Sequence, residues 1–290
     1  MPRSNSLNWN PVSAEPSLRV ADALAQARAC GVERLDAQWI LSHLLKRSRT
    51  WLVVHDQDGL PTASLPFWRS LLARRAAGEP LAYVLGEREF CGLVLQVSPA
   101  VLVPRPETEL LVEWGLECLE AAPSRDVIDL GTGSGAVALA IRQRCSQARV
   151  LATDASADAL AVARANARRL GLDLAFAQGD WWAAAGGACF GLALCNPPYI
   201  SADDPHLAAL QHEPRQALTP GGDGLGALAH VIQRSSPHLQ PGAWLLLEHG
   251  HDQAPAVRAL LEAAGFEAVR TRTDLAGLPR CTAGRRPIAK

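Results

Sequence analysis

The sequence lacks long hydrophobic runs, closely spaced cysteines and an excess of either charge. Its longer apolar stretches, such as AVALAI and AWLLL, fall far below the ~18 residues of a membrane span, and the N-terminus has no basic-then-apolar signal pattern. The seven cysteines include no CxxC pair, so they indicate neither a zinc site nor a disulfide framework. A formal net charge of −1 provides no overall field for nucleic acid. We expect a soluble cytoplasmic protein without a membrane partner, a direct nucleic-acid substrate or a metal.

The N-terminal part of the chain has helical periodicity. Ser17 follows a polar, proline-punctuated tail and is placed to cap a helix that ends near Gly31. A second helix is predicted from a one-sided apolar stripe, and a third, which carries Trp68, is predicted to stop at Gly78. The stripe consists of Ile40, Leu41, Leu44 and Leu45. This part is therefore predicted to form a small helical bundle.

The periodicity changes after the bundle, in the stretch EREFCGLVLQVSP. Two short apolar runs flank Cys91-Gly92, which predicts a β-hairpin. With 290 residues, 48% of them hydrophobic, the chain is long enough for two domains. We expect a helical domain over residues 1–85, a hairpin linker over 86–104 and a second domain over 105–290.

The second domain alternates short apolar runs with helical segments, a pattern typical of a doubly wound, Rossmann-like α/β sheet of parallel strands. Five runs are predicted strands, and two weaker runs are predicted to close one edge as a hairpin. The five strands are 126–130, 148–154, 172–178, 190–196 and 243–250, and the weaker runs are 266–271 and 281–286. In such a sheet ligands bind at the carboxyl ends of the strands, where the strand order reverses.

The residues that follow the first three strands indicate a nucleoside-containing cofactor. The first strand leads into DLGTGSGA, a turn that lets a ligand approach the backbone before a helix N-terminus. The turn comprises Gly131, Thr132, Gly133, Ser134 and Gly135. Asp154 ends the second strand, where a carboxylate can accept hydrogen bonds from both ribose hydroxyls. After the third strand, Asp180 is placed to bind an adenine amino group and Trp181 to pack on the ring.

Two cofactor classes fit this turn. Gly131, Gly133 and Ala136 also satisfy the dinucleotide pattern G-x-G-x-x-A, so a nicotinamide enzyme is an alternative. A plain strand-to-helix turn is a second alternative. Asp129 and the Asp180–Trp181 pair fit a nucleoside with an amino-acid tail better than a dinucleotide, and we therefore predict S-adenosylmethionine.

The stretch CNPPYI follows the fourth strand and suggests the substrate. The Asn196 side chain and the Pro197 carbonyl are two acceptors that match the two hydrogens of a planar NH2 group. Pro198 restricts the backbone, and Tyr199 offers a flat face to an amide or base. Asn196, Pro197 and Tyr199 are therefore the predicted catalytic residues. The alternative is a proline turn that only closes the strand.

At this point a family resemblance is visible over nearly the whole chain. The segments GEREF, VSPAVLVPRPETELLVE, VIDLGTGSGAVALAI, CNPPYI, HEPRQAL and LLLEHGHDQ, in this order, resemble the bacterial release factor glutamine methyltransferases. One departure is Cys91, which stands after EREF where the family has an aromatic residue.

The resemblance implies a class I methyltransferase sheet and the transfer of a methyl group from S-adenosylmethionine to the glutamine of the Gly-Gly-Gln loop in peptide chain release factors. We also expect residues 1–85 to dock this substrate. The family's cofactor site carries over to Gly131–Gly135, Asp154, Trp181 and Asn196. Its substrate site carries over to Asn196, Pro197, Pro198 and Tyr199. We expect the protein to be a monomer.

Several assignments have alternatives. Arg105 and Glu107, in VPRPETE, are predicted substrate-binding residues, although Glu107 also suits a helix N-terminus and Arg105 a plain surface position. His249 and His251 have the spacing of a metal pair but no third ligand, and Glu248, at the end of the fifth strand, has no assigned role. The alternative functions are an N6-adenine DNA methyltransferase, which shares the planar-amine chemistry, and a catalytically silent cofactor-binding module.

Overall fold

The computed structural model describes residues 18–288, which form two compact units. The first unit ends at Leu85 and the second begins at Gly86. The predicted cap Ser17 and the polar tail before it lie outside the described residues. Within residues 18–288, no helix has the length and apolar composition needed to cross a membrane.

The first unit is a helical bundle, as predicted, with two short helices that were not predicted. It contains α1 (Val20–Ala29), α2 (Arg34–Leu45), α3 (Arg49–Val54), α4 (Leu65–Ala76) and α5 (Leu81–Leu85). Trp68 on α4 is fully buried, and its indole nitrogen donates a hydrogen bond to Gln26 (3.0 Å). The added helices α3 and α5 have six and five residues, which is too short for a recognisable helical period.

The predicted hairpin is present and belongs to the core of the second unit. Strands β1 (Glu87–Phe90) and β2 (Leu93–Gln96) pair antiparallel. The turn residues Cys91 and Gly92 have φ angles of 49° and 79°, the left-handed conformation that a tight two-residue hairpin requires. Phe90, Leu93 and Leu95 are buried in the core of the second unit, so the hairpin is an integral part of that unit.

The second unit is built around a seven-stranded sheet, which confirms the doubly wound α/β fold. Its strands are β3 (Asp126–Leu130), β4 (Arg149–Asp154), β5 (Ala175–Gln178), β6 (Phe190–Cys195), β7 (Leu239–Glu248), β8 (Glu267–Thr273) and β9 (Pro279–Arg285). The spatial order is β5-β4-β3-β6-β7-β9-β8. The first five strands in this order are parallel, and β9 runs antiparallel to both β7 and β8, as the predicted edge hairpin requires.

Some strand ends differ from the predicted ones for local reasons. Strand β5 begins at Ala175 rather than at Leu172, because the Leu172 amide donates to the Ala167 carbonyl (3.0 Å) and so closes the preceding helix at Gly171. Strand β6 ends at Cys195 rather than at Asn196, because a proline follows and has no amide hydrogen to continue the ladder.

Helices cover both faces of the sheet. They are α6 (Glu109–Glu120), α7 (Ala136–Arg144), α8 (Ala157–Leu170), α9 (Gly226–Arg234) and α10 (Ala254–Ala263). Successive strand residues alternate between two cores, as in β6, where Leu192 and Leu194 join the core with α6 and α7 while Ala193 and Cys195 join the core with α9 and α10. Burial of both faces explains why the parallel strands are continuous apolar runs.

Candidate active site

The site lies where the strand order reverses. Strand β3 is flanked by β4 on one side and β6 on the other, so the connections after β3 and β6 diverge and open a crevice. Leu130 lies opposite both Thr153 and Cys195, and therefore Gly131, Asp154 and Asn196 leave the sheet at about the same level. A cleft of about 270 Å³ lies there.

The glycine-rich turn forms the floor of this cleft and is held by Asp154. Gly131 and Gly133 have φ angles of 74° and 55°, which favour glycine. The Thr132 amide donates to the Thr153 carbonyl (2.8 Å), and the Gly133 amide donates to Asp154 Oδ2 (2.9 Å). The other carboxylate oxygen, Oδ1, accepts a hydrogen bond from the Ser156 amide (2.9 Å). Asp154 therefore both lines the cleft and fixes the turn.

Gly135, predicted to bind the cofactor, does not line the cleft, whereas Gly131, Thr132, Gly133 and Ser134 do. It precedes α7 with a φ of 85°, and a Cβ atom there would come within 2.9 Å of Leu139 and 3.2 Å of Ala163. Its function is therefore the close packing of α7 against α8.

Asp129 is a buried carboxyl group beside the turn and also lines the cleft. Its Oδ2 atom accepts hydrogen bonds from the Thr132 hydroxyl (2.6 Å) and the Ala138 amide (3.2 Å). Burial raises the pKa of Asp129 to about 7, the nearby Asp154 charge adds to the rise, and the two hydrogen bonds oppose it.

The two tryptophans after β5 have different surroundings. Trp181 and Asp180 line the cleft, and the Trp181 ring lies 3.4 Å from where a Cβ on Gly131 would be. Trp182 is buried, and its indole nitrogen donates to the Val231 carbonyl (2.8 Å). The first tryptophan is therefore available to a ligand, while the second anchors the segment in the core.

The cleft is acidic. Three carboxyl groups line it, from Asp129, Asp154 and Asp180, and the single cationic side chain among its described lining residues is Arg105. Arg105 forms an ion pair with the buried Glu213, so its charge is largely compensated. Such a cleft favours a cationic ligand and disfavours the pyrophosphate of a dinucleotide, which argues against the nicotinamide alternative.

The NPPY segment divides between the cleft and the interior. Asn196 and Pro198 line the cleft, whereas Pro197 and Tyr199 do not. The Asn196 Nδ2 group donates to the Thr108 hydroxyl (3.1 Å), which leaves the Oδ1 oxygen as an acceptor. Pro197 is buried, so its ring closes the strand end from the inside.

Tyr199 does not line the cleft, and both its side-chain hydroxyl and its backbone carbonyl are hydrogen-bonded. Its hydroxyl donates to Glu248 Oε1 (3.2 Å), and its carbonyl accepts a hydrogen bond from Gln253 Nε2 (3.0 Å). A Cβ on Gly224 would come within 2.2 Å of the same carbonyl oxygen. The flat face predicted to contact the substrate is therefore not part of the cleft wall, and Tyr199 supports the segment from behind.

The VPRPETE segment contributes differently from the prediction. Arg105 lines the cleft, and its partner Glu213 also accepts a hydrogen bond from the Val103 amide (3.0 Å). Glu107 is exposed and does not line the cleft, because it lies on the outside of the single turn Pro106–Thr108. Thr108, which sequence reasoning missed, lines the cleft and contacts Asn196.

Asn166 is a second residue that sequence reasoning missed. It is fully buried, and its Nδ2 donates to the carbonyls of Ser134 and Gln96 (both 2.9 Å). Its Oδ1 accepts from the Gln96 amide (2.7 Å). The available signal was a polar residue on the otherwise apolar stripe of α8, and its effect is to tie the glycine-rich turn to the hairpin.

His249, the first histidine of the pair, has both ring nitrogens in contact with protein groups. His249 is buried, donates from Nδ1 to the Gly250 carbonyl (2.8 Å) and contacts the Thr282 hydroxyl through Nε2 (2.7 Å). Among residues 18–288, no cluster of three or more His, Cys, Asp or Glu side chains is arranged to hold a metal ion.

Comparison with known proteins places the second unit in a class. Residues 107–247 match the family model described as "Methyltransferase small domain", and residues 18–86 match "PrmC N-terminal domain". Among solved structures, the 16S rRNA N2 G1207 methyltransferase of T. thermophilus, in complex with AdoMet and guanosine, aligns with a TM-score of 0.52. It is 19% identical, over 69% of this chain and 49% of that one. The fold is that of a class I methyltransferase.

The curated relatives identify the family. A release factor glutamine methyltransferase from Bordetella pertussis is 49% identical over 88% of this chain and 95% of its own length. One from Burkholderia pseudomallei is 47% identical over 92% and 97%. The chain belongs to the release factor glutamine methyltransferases, which confirms the resemblance seen in the sequence.

Proposed function

We propose that this chain methylates the side-chain amide nitrogen of the glutamine in the Gly-Gly-Gln loop of peptide chain release factors, with S-adenosylmethionine as the methyl donor. The observation that carries the proposal is the Asn196 carboxamide, which lies in the same cleft as the acidic, glycine-rich site and retains a free acceptor oxygen. The names of the curated relatives support this substrate.

The residues of the cleft fit S-adenosylmethionine. This molecule carries positive charge on its sulfur and its amino group, and the cleft presents the carboxyl groups of Asp129, Asp154 and Asp180. We assign Asp154 to the ribose hydroxyls, Asp180 to the adenine amino group, Trp181 to the adenine ring and the turn Gly131–Ser134 to the amino-acid tail. When bound, the cofactor supplies a methyl group attached to a positively charged sulfur.

Asn196 is assigned to orient the substrate amide. An amide nitrogen is a poor nucleophile because its lone pair is delocalised. In the proposed arrangement, Asn196 Oδ1 accepts one hydrogen of the substrate NH2 group, which directs the nitrogen lone pair toward the methyl group. The Pro197 carbonyl, predicted as the second acceptor, belongs to a residue that does not line the cleft, so the arrangement rests on Asn196. Positioning of this kind supplies much of the rate in a reaction that needs no strong base.

The first unit is assigned to docking of the release factor. Several of its large apolar side chains are exposed: Leu35, Trp39, Val53, Val54 and Phe67. Apolar side chains of this size at the surface suit a protein partner, and a release factor needs contacts beyond its loop to be distinguished from other glutamine-containing proteins. The monomeric state and the cytoplasmic location expected from the sequence stay predictions.

A labelled-methyl assay with three acceptors tests the proposal. Purified protein and labelled S-adenosylmethionine are incubated separately with a release factor, a double-stranded oligonucleotide and total cell protein. We expect label in the release factor and none in the oligonucleotide, because an acidic cleft disfavours a polyanion. Label in the oligonucleotide would favour the adenine methyltransferase alternative, and no label in any acceptor would favour the silent cofactor-binding module.

A further inference from the structure

An ion pair joins two segments that both line the cleft. Arg105 lies in the segment between β2 and α6, and Glu213 lies in the long connection between β6 and α9. The Arg105 guanidinium donates to Glu213 Oε1, and the Val103 amide donates to Glu213 Oε2 (3.0 Å). Both oxygens of this carboxylate are therefore hydrogen-bonded to the other segment. Residues beside the two partners line the cleft, namely Leu102, Pro104, Pro214, Gln216 and Ala217.

The two partners differ in their exposure to the cleft. The Arg105 side chain is 34% exposed and lines the cleft, whereas the Glu213 side chain is 2% exposed and does not. Burial of a carboxylate is costly unless an opposite charge and further hydrogen bonds compensate it. Here the guanidinium and the Val103 amide provide that compensation. The result is a fixed negative charge in contact with the cation of the cleft.

A charge at the cleft acts differently on the methyl donor and on the product of methyl transfer. S-adenosylmethionine carries a positive charge on its sulfur, and S-adenosylhomocysteine has a neutral thioether there. Their adenosine, amino and carboxylate groups are the same. The carboxyl groups of Asp129, Asp154 and Asp180 favour the donor, and an uncompensated Arg105 would favour the product.

We propose that Glu213 is a specificity-determining residue that acts through Arg105. By compensating the charge of Arg105, it raises the affinity of the cleft for the positively charged methyl donor relative to the uncharged product. The proposal rests on the proposed use of S-adenosylmethionine. It explains how a cleft that suits a cationic ligand contains an arginine in its wall.

The test is isothermal titration calorimetry of the wild type and Glu213→Gln with each of the two ligands at pH 8. Glutamine has nearly the same shape as glutamate but lacks its charge, so Arg105 is no longer neutralised. We expect the ratio of the Kd for S-adenosylmethionine to the Kd for S-adenosylhomocysteine to rise on the order of 10-fold, the effect of one uncompensated charge in a partly solvated cleft. A distortion of the cleft wall acts on the groups that the ligands share, and it cancels in this ratio.

Three further variants separate charge from structural support. Glu213→Gln combined with Arg105→Gln removes both charges, and the ratio should return to the wild-type value. Arg105→Gln alone leaves the Glu213 charge uncompensated and should lower the ratio, which keeps the proposal testable if Glu213→Gln does not fold. Glu117→Gln is the matched control, because it removes the carboxylate of an exposed ion pair with Arg272 that does not line the cleft. Its ratio should equal that of the wild type.

The outcomes distinguish this proposal from the proposed function. An equal change in both Kd values for Glu213→Gln would show that Glu213 only supports the cleft wall, and it would overturn the proposal. A raised ratio that persists in the double variant, or a ratio at or above the wild-type value in Arg105→Gln, would also overturn it. Wild-type protein that binds neither ligand and methylates no release factor would instead overturn the proposed function, and this role with it.

Discussion

Replacing Asp154 with alanine should weaken the binding of S-adenosylmethionine about 10- to 150-fold. The Asp154 carboxylate has two oxygens that each already accept one backbone hydrogen bond at 2.9 Å, and each oxygen keeps a further acceptor site for a ribose hydroxyl. Loss of a hydrogen bond to a charged group costs about 1.5–3 kcal/mol, which corresponds to that range of Kd. In Asp154→Ala the Gly133 and Ser156 amides also lose their hydrogen-bond acceptor, and the glycine-rich turn is no longer fixed by the Asp154 side chain.

Isothermal titration calorimetry measures the Kd for S-adenosylmethionine directly. Two further variants serve as a graded comparison and a control. Asp154→Asn keeps one acceptor oxygen and should lose less affinity than Asp154→Ala. Asp158→Ala removes the same charge one turn further along, at an exposed position in the first turn of α8, and should bind the cofactor normally. A folded Asp154→Ala protein with wild-type affinity would refute the assignment of Asp154 to the cofactor.

Three further predictions concern the substrate, the stability and the docking unit. Asn196→Ala should lower kcat/KM about 10²–10³-fold, with a smaller loss of cofactor affinity than Asp154→Ala. Asn196→Asp should lower kcat/KM to a lesser degree. Wild-type kcat/KM in both Asn196 variants would contradict the amide-orienting role. Burial raises the pKa of Asp129 from 3.8 to about 7, so folding favours its protonated form and its stabilising contribution is lost as pH rises between these two values; Asp129→Asn should therefore gain stability relative to wild type over this range and keep a constant difference above it in urea titrations, and parallel profiles across the range would contradict this. Val54→Ser combined with Phe67→Ser should lower kcat/KM on intact release factor without affecting a short Gly-Gly-Gln peptide, and equal losses on both would argue against docking by the first unit.

Much of the cleft could be predicted because parallel strands end at one edge of a sheet. Gly131 and Asn196 directly follow β3 and β6, Asp154 ends β4, and Asp180 comes two residues after β5. The structure places all four around one cleft. The pattern alone could not say which way each neighbouring side chain points. Within the same motifs, Gly135 packs between helices and Tyr199 faces Glu248 rather than the cleft.

The supporting residues were beyond the reach of sequence patterns because their contacts are distant along the chain. Thr108 meets Asn196 only after α6, β3 and the following helices have brought the two segments together. Glu213 and Asn166 join segments in the same way, to Val103 and to Ser134. In the sequence, each of these residues is visible only as a polar residue within an apolar segment or a loop. That pattern does not identify the group to which the residue is hydrogen-bonded.

The account's central claim is that the methyl group goes to one glutamine amide nitrogen. The direct test is tandem mass spectrometry of a release factor after incubation with the wild-type enzyme and S-adenosylmethionine, in parallel with a release factor whose loop glutamine is replaced by glutamate. We predict a single added methyl group on the side-chain amide of the Gly-Gly-Gln glutamine, and none on the glutamate variant. A methyl group on another residue, or equal methylation of the glutamate variant, would contradict the account.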